Sequence, residues 1–128
     1  MTSIFEKVDG GKAIIDWFGC VPRFHDAEVL QIVLRSDASS TLRIHAWNIT
    51  EDIDTEGYFK TDAHAVVTIV LDGVSCVELS EFHLPGIILD MKFAQVENFW
   101  EIAWSSSYGI EGKVRAVRVR FDLEPGKP

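Results

Sequence analysis

The chain has 128 residues, one domain by length and enough for a single hydrophobic core. Its 47% apolar content is too high for a disordered chain, and no apolar run reaches the roughly 18 residues that a membrane helix needs. Twenty acidic against twelve basic residues give a net charge of −8, which disfavours nucleic acid and favours a basic protein partner, although solubility alone explains many acidic proteins.

The opening Met1-Thr2-Ser3-Ile4-Phe5-Glu6-Lys7 lacks a basic patch followed by an apolar run. No signal peptide or membrane contact is therefore expected, and the expected location is cytoplasmic. Two cysteines, Cys20 and Cys76, are too few for a disulfide scaffold and read as reduced, buried, small apolar residues. One domain over 1–128 is expected: a lead-in at 1–8, a globular part at 9–123 and a frayed tail at 124–128.

From Asp9 to Phe18 the apolar residues follow a helical period, with Ala13, Ile14, Trp17 and Phe18 on one face. Asp9 can cap this short helix, and Gly19 suits its left-handed stop. Pro22 then forbids helix and holds Val21 extended. From Ala27 the period changes to two. Leu30, Ile32 and Leu34 alternate with Val29 and Val33, and Leu42, Ile44 and Ala46 alternate with Arg43, His45 and Trp47. The polar stretch Glu51 to Thr61 reads as a long hairpin loop or the mouth of a site.

Ala63 to Leu71 is apolar on both faces, as a central strand is, and Asp72-Gly73 signals a hairpin into the strand Val74 to Phe82. Ile87, Leu89, Met91 and Phe93 share a face of the next strand. Trp100, Ile102 and Trp104 share a face of the one after. Lys113 to Leu123 reads as one long closing strand. The spacing predicts a mainly β single domain of about seven antiparallel strands, as a sandwich or a strongly curved sheet, with one short N-terminal helix.

Four groups of residues could carry function. His25-Asp26 with Glu28 could be an acid–base pair or two metal ligands. As strand-entry neighbours they point to opposite faces, so a turn device is favoured, with Asp26 accepting backbone N–H bonds, His25 donating to a carbonyl and Phe24 packed inward. His25, His45, His64 and His83, with Asp54 and Asp62, show none of the short spacings that specify a metal, so no metal or cofactor is expected. The aromatic residues Trp47, Tyr58, Phe59, Trp100 and Trp104 suit a core or interface anchors. Finally, the acidic loop from Glu51 to Asp62 contrasts with Lys113, Arg115, Arg118 and Arg120 on the last strand, which could equally be paired to neighbouring carboxylates. No Gly-x-Ser-x-Gly elbow or phosphate-cradling loop is present, so no catalytic residue is assigned.

The motif Trp17-Phe18-Gly19, Pro22, then Phe24-His25-Asp26-Ala27-Glu28-Val29 resembles the opening of the immunity protein 50 family of bacterial polymorphic toxin systems. Asp72-Gly73-Val74, Phe82-His83, Tyr108-Gly109-Ile110-Glu111-Gly112 and Ala116-Val117-Arg118-Val119 continue the likeness over Trp17 to Leu123. The resemblance implies a compact, mainly β, non-enzymatic protein that neutralises a cognate toxin by direct binding. On that reading the partner-binding residues are Glu51, Asp52, Asp54, Glu56, Tyr58 and Phe59, while Trp17, Gly19, Pro22, Phe24, His25, Asp26 and Glu28 are structural. The alternatives are a small metal-dependent or hydrolytic enzyme around His25, Asp26 and a second histidine, and a structural or ligand-binding β domain with a cavity between its sheets.

Overall fold

The structure, a computed structural model, describes residues 4–128. Two helices, α1 (Ile4–Lys7) and α2 (Gly11–Phe18), precede eight strands. These are β1 (Glu28–Val33), β2 (Ser40–Ile53), β3 (Phe59–Asp72), β4 (Cys76–Ser80), β5 (Gly86–Val96), β6 (Phe99–Tyr108), β7 (Glu111–Ala116) and β8 (Arg118–Pro125). All pair antiparallel in one sheet, in the order β4-β7-β6-β5-β1-β2-β3-β8.

The connection between β7 and β8 fixes the shape. Six strand spacings of about 4.8 Å would set these strands about 29 Å apart in a flat sheet. A single residue, Val117, joins them and can span only about 7.6 Å. The sheet must therefore curl until its two ends meet. The seam is visible in backbone bonds: Val117 N donates to the Asp72 carbonyl at 2.9 Å, and Ser75 N donates to the Arg115 carbonyl at 3.0 Å. Gly73 sits there at φ +67, where a Cβ would press on the Val117 side chain at 2.9 Å.

The concave face carries the core in rows that cross four strands. Val29, Ile44, Val67 and Leu123 lie abreast, as do Ile32, Leu42, Ile69 and Phe121. The helices fill the hollow. Gly11, Ile14 and Phe18 form the buried stripe of α2, and Phe5 of α1 stacks on Phe121 at 4.9 Å and meets Phe93 edge-on at 5.5 Å. Asp9 O accepts from Phe121 N at 2.8 Å, tying the two helices to β8.

Several sequence expectations are corrected. Residues 4–7 are no passive lead-in, since Ile4 and Phe5 are buried in the core; Met1 to Ser3 lie outside the described residues. Asp9 does not cap α2, whose N-cap is Gly10 without a side-chain bond, whereas Gly19 is the left-handed stop as read. The expected helix face is rotated, because Ala13 and Trp17 stay exposed while Ile14 and Phe18 go inside. The expected closing strand is two strands, split at Val117, which is why eight replace seven. Asp72-Gly73 makes the corner at the seam, not a hairpin, since β4 pairs with β7 and β3 with β2 and β8.

Register shifts in β5 break its alternation, so Ile88 and Met91 point inward while Ile87 and Leu89 are exposed. A shift between Val29 and Gln31 does the same in β1, turning Val29 into the core. The tail from 124 is partly paired, as Pro125 sits opposite Ala65 and Gly126 N donates to the His64 carbonyl at 2.7 Å. Cys20 and Cys76 are free as expected, but exposed.

Candidate functional site

The β2–β3 hairpin outruns its neighbours. β1 pairs with β2 only as far as His45, and β8 pairs with β3 only from Ala65 onward. Beyond those points the hairpin continues to Ile53 and back from Phe59 as a two-stranded arm, with no strand outside it among the described residues. The expected long loop is thus mostly strand, and only residues 54–58 turn. Asp54 builds that turn: its Oδ1 accepts from the backbone N–H of Glu56 and of Tyr58, both at 2.9 Å, and its own N–H donates to the Tyr58 carbonyl.

A lone two-stranded ribbon is marginal in water, so the arm needs support at its root. The Trp17 indole N–H donates to the Ala63 carbonyl at 2.8 Å, and the Asn48 amide donates to the Phe18 carbonyl at 2.9 Å. Both bonds fasten the arm to the end of α2.

The arm gathers all six residues singled out as partner-binding. Glu51 and Asp52 lie on β2, Asp54, Glu56 and Tyr58 at the turn, and Phe59 opens β3. Between 51 and 62 there are five acids and one lysine, so these twelve residues carry −4, half of the net charge of the chain. Large apolar groups stand out beside them: Ile49, Ile53, Tyr58 and Phe59 are 59%, 60%, 70% and 61% exposed. Single exposed apolar residues are ordinary, but here four stand together on one projecting ribbon.

A second constellation sits at the arm's root on the convex face. Glu28 lies opposite His45 in the β1–β2 register, and His64 lies diagonally across β3. Glu28 Oε1 is 3.0 Å from His45 Nδ1, His45 Nε2 is 2.9 Å from His64 Nδ1, and His64 Nε2 is 2.8 Å from Thr61 Oγ1. With Glu28 ionised and both rings neutral, the donors run in one direction. Thr61 donates to His64, His64 to His45, and His45 to Glu28. Trp47 packs on both imidazoles, with centroids at 4.8 and 5.7 Å.

This chain can hold or pass a proton. It does not gather ligands, because the two nitrogens of His45 point to opposite partners, and no group of three or more His, Cys, Asp or Glu among the described residues is arranged for a metal.

Burial, then the nearby charges of Lys127 and His45, push the His64 pKa below its usual value, with Asp62 opposing. The sign of the consequence is definite. The unfolded chain takes a proton at His64 near pH ~6.5, while the folded chain resists it, so this contribution to stability is complete above that pH and is lost as pH falls through the lowered folded value. Urea midpoints are expected to drop between pH 7.5 and 5.5, and His64→Gln is expected to reduce that drop. An equal drop in the variant would place the acid sensitivity elsewhere.

Of the other singled-out residues, Phe24 is buried as expected, but at φ +56, and Asp26 follows at φ +68. That backbone turns His25 and Asp26 toward each other, Nδ1 to Oδ2 at 3.3 Å, so they form an exposed pair and do not diverge. The expected bonds from Asp26 carboxylate to backbone and from His25 to a carbonyl are replaced by this pair. Instead the Asp26 backbone N–H donates to the Ile88 carbonyl at 2.8 Å, carrying the chain over to β5. His83 meets the Tyr108 hydroxyl at 3.0 Å, apart from the other histidines.

The basic residues divide between two strands. Lys113 pairs with Glu78 and Arg115 with Glu101, each at 3.0 Å, and these carboxylates raise both cations' pKa values. Arg118 and Arg120 lie on β8, where Arg120 has only a loose contact with Asp122 at 3.7 Å.

Comparison with known proteins matches no protein-family model and no curated protein. Among solved structures the chain is similar to the crystal structure of an uncharacterized protein from Neisseria gonorrhoeae. The two share 18% identity at a TM-score of 0.50, over 77% of this chain and 92% of the other. That likeness concerns the fold alone. Among the described residues no helix is long and apolar enough to cross a membrane.

Proposed function

We propose that this is a non-enzymatic binding module that occupies a basic partner protein through the β2–β3 arm. The projection of that arm beyond the sheet, with −4 in charge and four exposed apolar side chains, carries the reading. Acidic side chains of this kind speed encounter with a basic surface, while buried aromatic anchors slow release. Tyr58 and Phe59 are placed for the second role, and Glu51, Asp52, Asp54 and Glu56 for the first.

The resemblance of the Trp17–Val29 stretch to the immunity protein 50 family supports a specific partner: a bacterial toxin, neutralised in the cytoplasm by direct contact. Co-expression with the product of the adjacent gene tests this. Rescue from its toxicity, with a co-purifying complex, is expected; a harmless neighbour that does not co-purify would remove the toxin from the proposal.

The Thr61–His64–His45–Glu28 chain favours a second reading, in which Thr61 is a nucleophile with His64 as its base, oriented through His45 by Glu28. A fluorophosphonate probe tests it. Covalent labelling at Thr61 that disappears in His64→Gln would move the protein to the enzymes.

A further inference from the structure

The side of β2 that β1 leaves uncovered faces a groove. After His45 the strand runs eight more residues, Ala46 to Ile53, with β3 on one side and no strand on the other among the described residues. Its register with β3 shifts between Ala46 and Asn48 and between Ile49 and Ile53. A groove of about 280 Å³ lies along the start of this free edge. Ala46, Trp47, Asn48 and Ile49 form one wall, and the segment from Cys20 to His25 forms the other.

The backbone explains why the groove is open. A chain arriving at β1 in the usual extended form would lie along the β2 edge before entering the strand. The left-handed residues Phe24 and Asp26 divert it, and Asp26 N–H bonds to β5 at Ile88. Left-handed backbone at non-glycine residues is strained and persists where the surroundings enforce it. Here its effect is to keep residues 20–25 a groove's width from β2. Among the described residues no backbone–backbone hydrogen bond joins 20–25 to 46–53.

A strand edge with no strand beside it that lines a groove is a template for one more strand. At its distal end Asp52 N–H already donates to Thr50 Oγ1 at 3.2 Å, a bond that an incoming strand would have to replace. We infer that the free edge of β2 from Ala46 to Ile53, with the groove beside it, is a strand-addition site for an extended basic segment of the partner protein. The inference rests on the arm reading above and says how the arm is engaged. The charge selects the occupant: Arg23 and the self-paired His25–Asp26 stand at the β1 end, whereas Glu51, Asp52, Asp54 and Glu56 stand at the distal end. Basic residues of the incoming segment fall over the distal half, and its apolar residues meet Trp47 and Ile49.

An eight-residue peptide alternating lysine with valine matches the length of the free edge and serves as the probe. Amide hydrogen exchange of the full chain is expected to slow at β2 amides between 46 and 53 that point away from β3. A peptide of the same charge, N-methylated at its four central nitrogens, is expected to bind at least tenfold more weakly, because it cannot donate to the edge. Equal binding of the methylated peptide would overturn strand addition while leaving the arm as a charged contact surface. Equal binding of a peptide with glutamate in place of lysine would instead overturn the arm's choice of a basic partner. Protection confined to other strands, no detectable binding, or a dimer of the chain that protects the same amides without peptide would each overturn the inference.

Discussion

Changing Glu51, Asp52 and Glu56 to lysine and Asp54 to asparagine is expected to leave the fold intact and slow association with a basic partner by 10- to 1,000-fold at low salt. Three reversals and one neutralisation take residues 51–62 from −4 to +3. Steering by charge has that range, and it fades as salt screens the arm beyond a Debye length of about 10 Å. Asparagine is the right change at 54 because its side-chain oxygen can still accept from the N–H groups of Glu56 and Tyr58. Lysine there would remove the turn along with the charge.

The three lysines sit on exposed side chains, so unfolding midpoints should scarcely move. Stopped-flow association rates across a salt series check the expectation. Rates and salt slopes equal to those of the unaltered chain would remove the arm's charge from recognition. Tyr58→Ala and Phe59→Ala should act differently, raising the dissociation rate and leaving association nearly unchanged.

The second large effect is on stability. Phe5→Ala is expected to cost about 3–5 kcal/mol, as removal of a buried phenylalanine does. Phe5 is 3% exposed and touches three aromatic rings: Phe121 on β8, Phe93 on β5 and Phe24 in the turn before β1. β5 and β1 are neighbours in the sheet, while β8 lies three strands beyond β1, and the first helix joins them across the hollow of the curled sheet. Urea unfolding measures the loss. A cost below about 1 kcal/mol would mean that residues 4–7 are only the lead-in their sequence suggests.

That helix shows where the sequence stops being legible. Ile4-Phe5-Glu6-Lys7 is one turn long, so it has no period to read, and its burial depends on partners more than eighty residues away. The inward faces of β2 and β6 were plain, because Leu42, Ile44 and Ala46 alternate cleanly, as do Trp100, Ile102 and Trp104. A strongly curved sheet was one of two expected forms, but its seam was not legible. Ala116-Val117-Arg118 shows only a phase step in the alternation, from Val114 and Ala116 to Val119 and Phe121, with no glycine or proline to mark it. Local pattern cannot report that a strand has changed edges. The bulges in β1 and β5 were hidden for a related reason: one inserted residue exchanges the faces without changing the composition.

The site was legible in part. The acidic residues and the two aromatics were visible as a cluster, but as a loop; that they extend a hairpin past both neighbouring strands follows only from the pairing. The histidine chain was missed, although a signal existed. A hairpin centred near residue 56 sets 45 opposite 66 and diagonal to 64, and long side chains reach such diagonal neighbours. Reading Glu51 to Thr61 as loop removed the register that would have brought His45 and His64 together. His25-Asp26 drew more weight because it is contiguous, yet its effect is on the backbone, where it clears the edge of β2.

The most direct measurement is a hydrogen-exchange footprint of the chain alone and in complex with the co-purified product of the adjacent gene. Protection concentrated between Ala46 and His64 is expected, with the β4–β7 end of the sheet unchanged. Protection centred on β4 and β7, with the arm exchanging as fast as in the free protein, would contradict it.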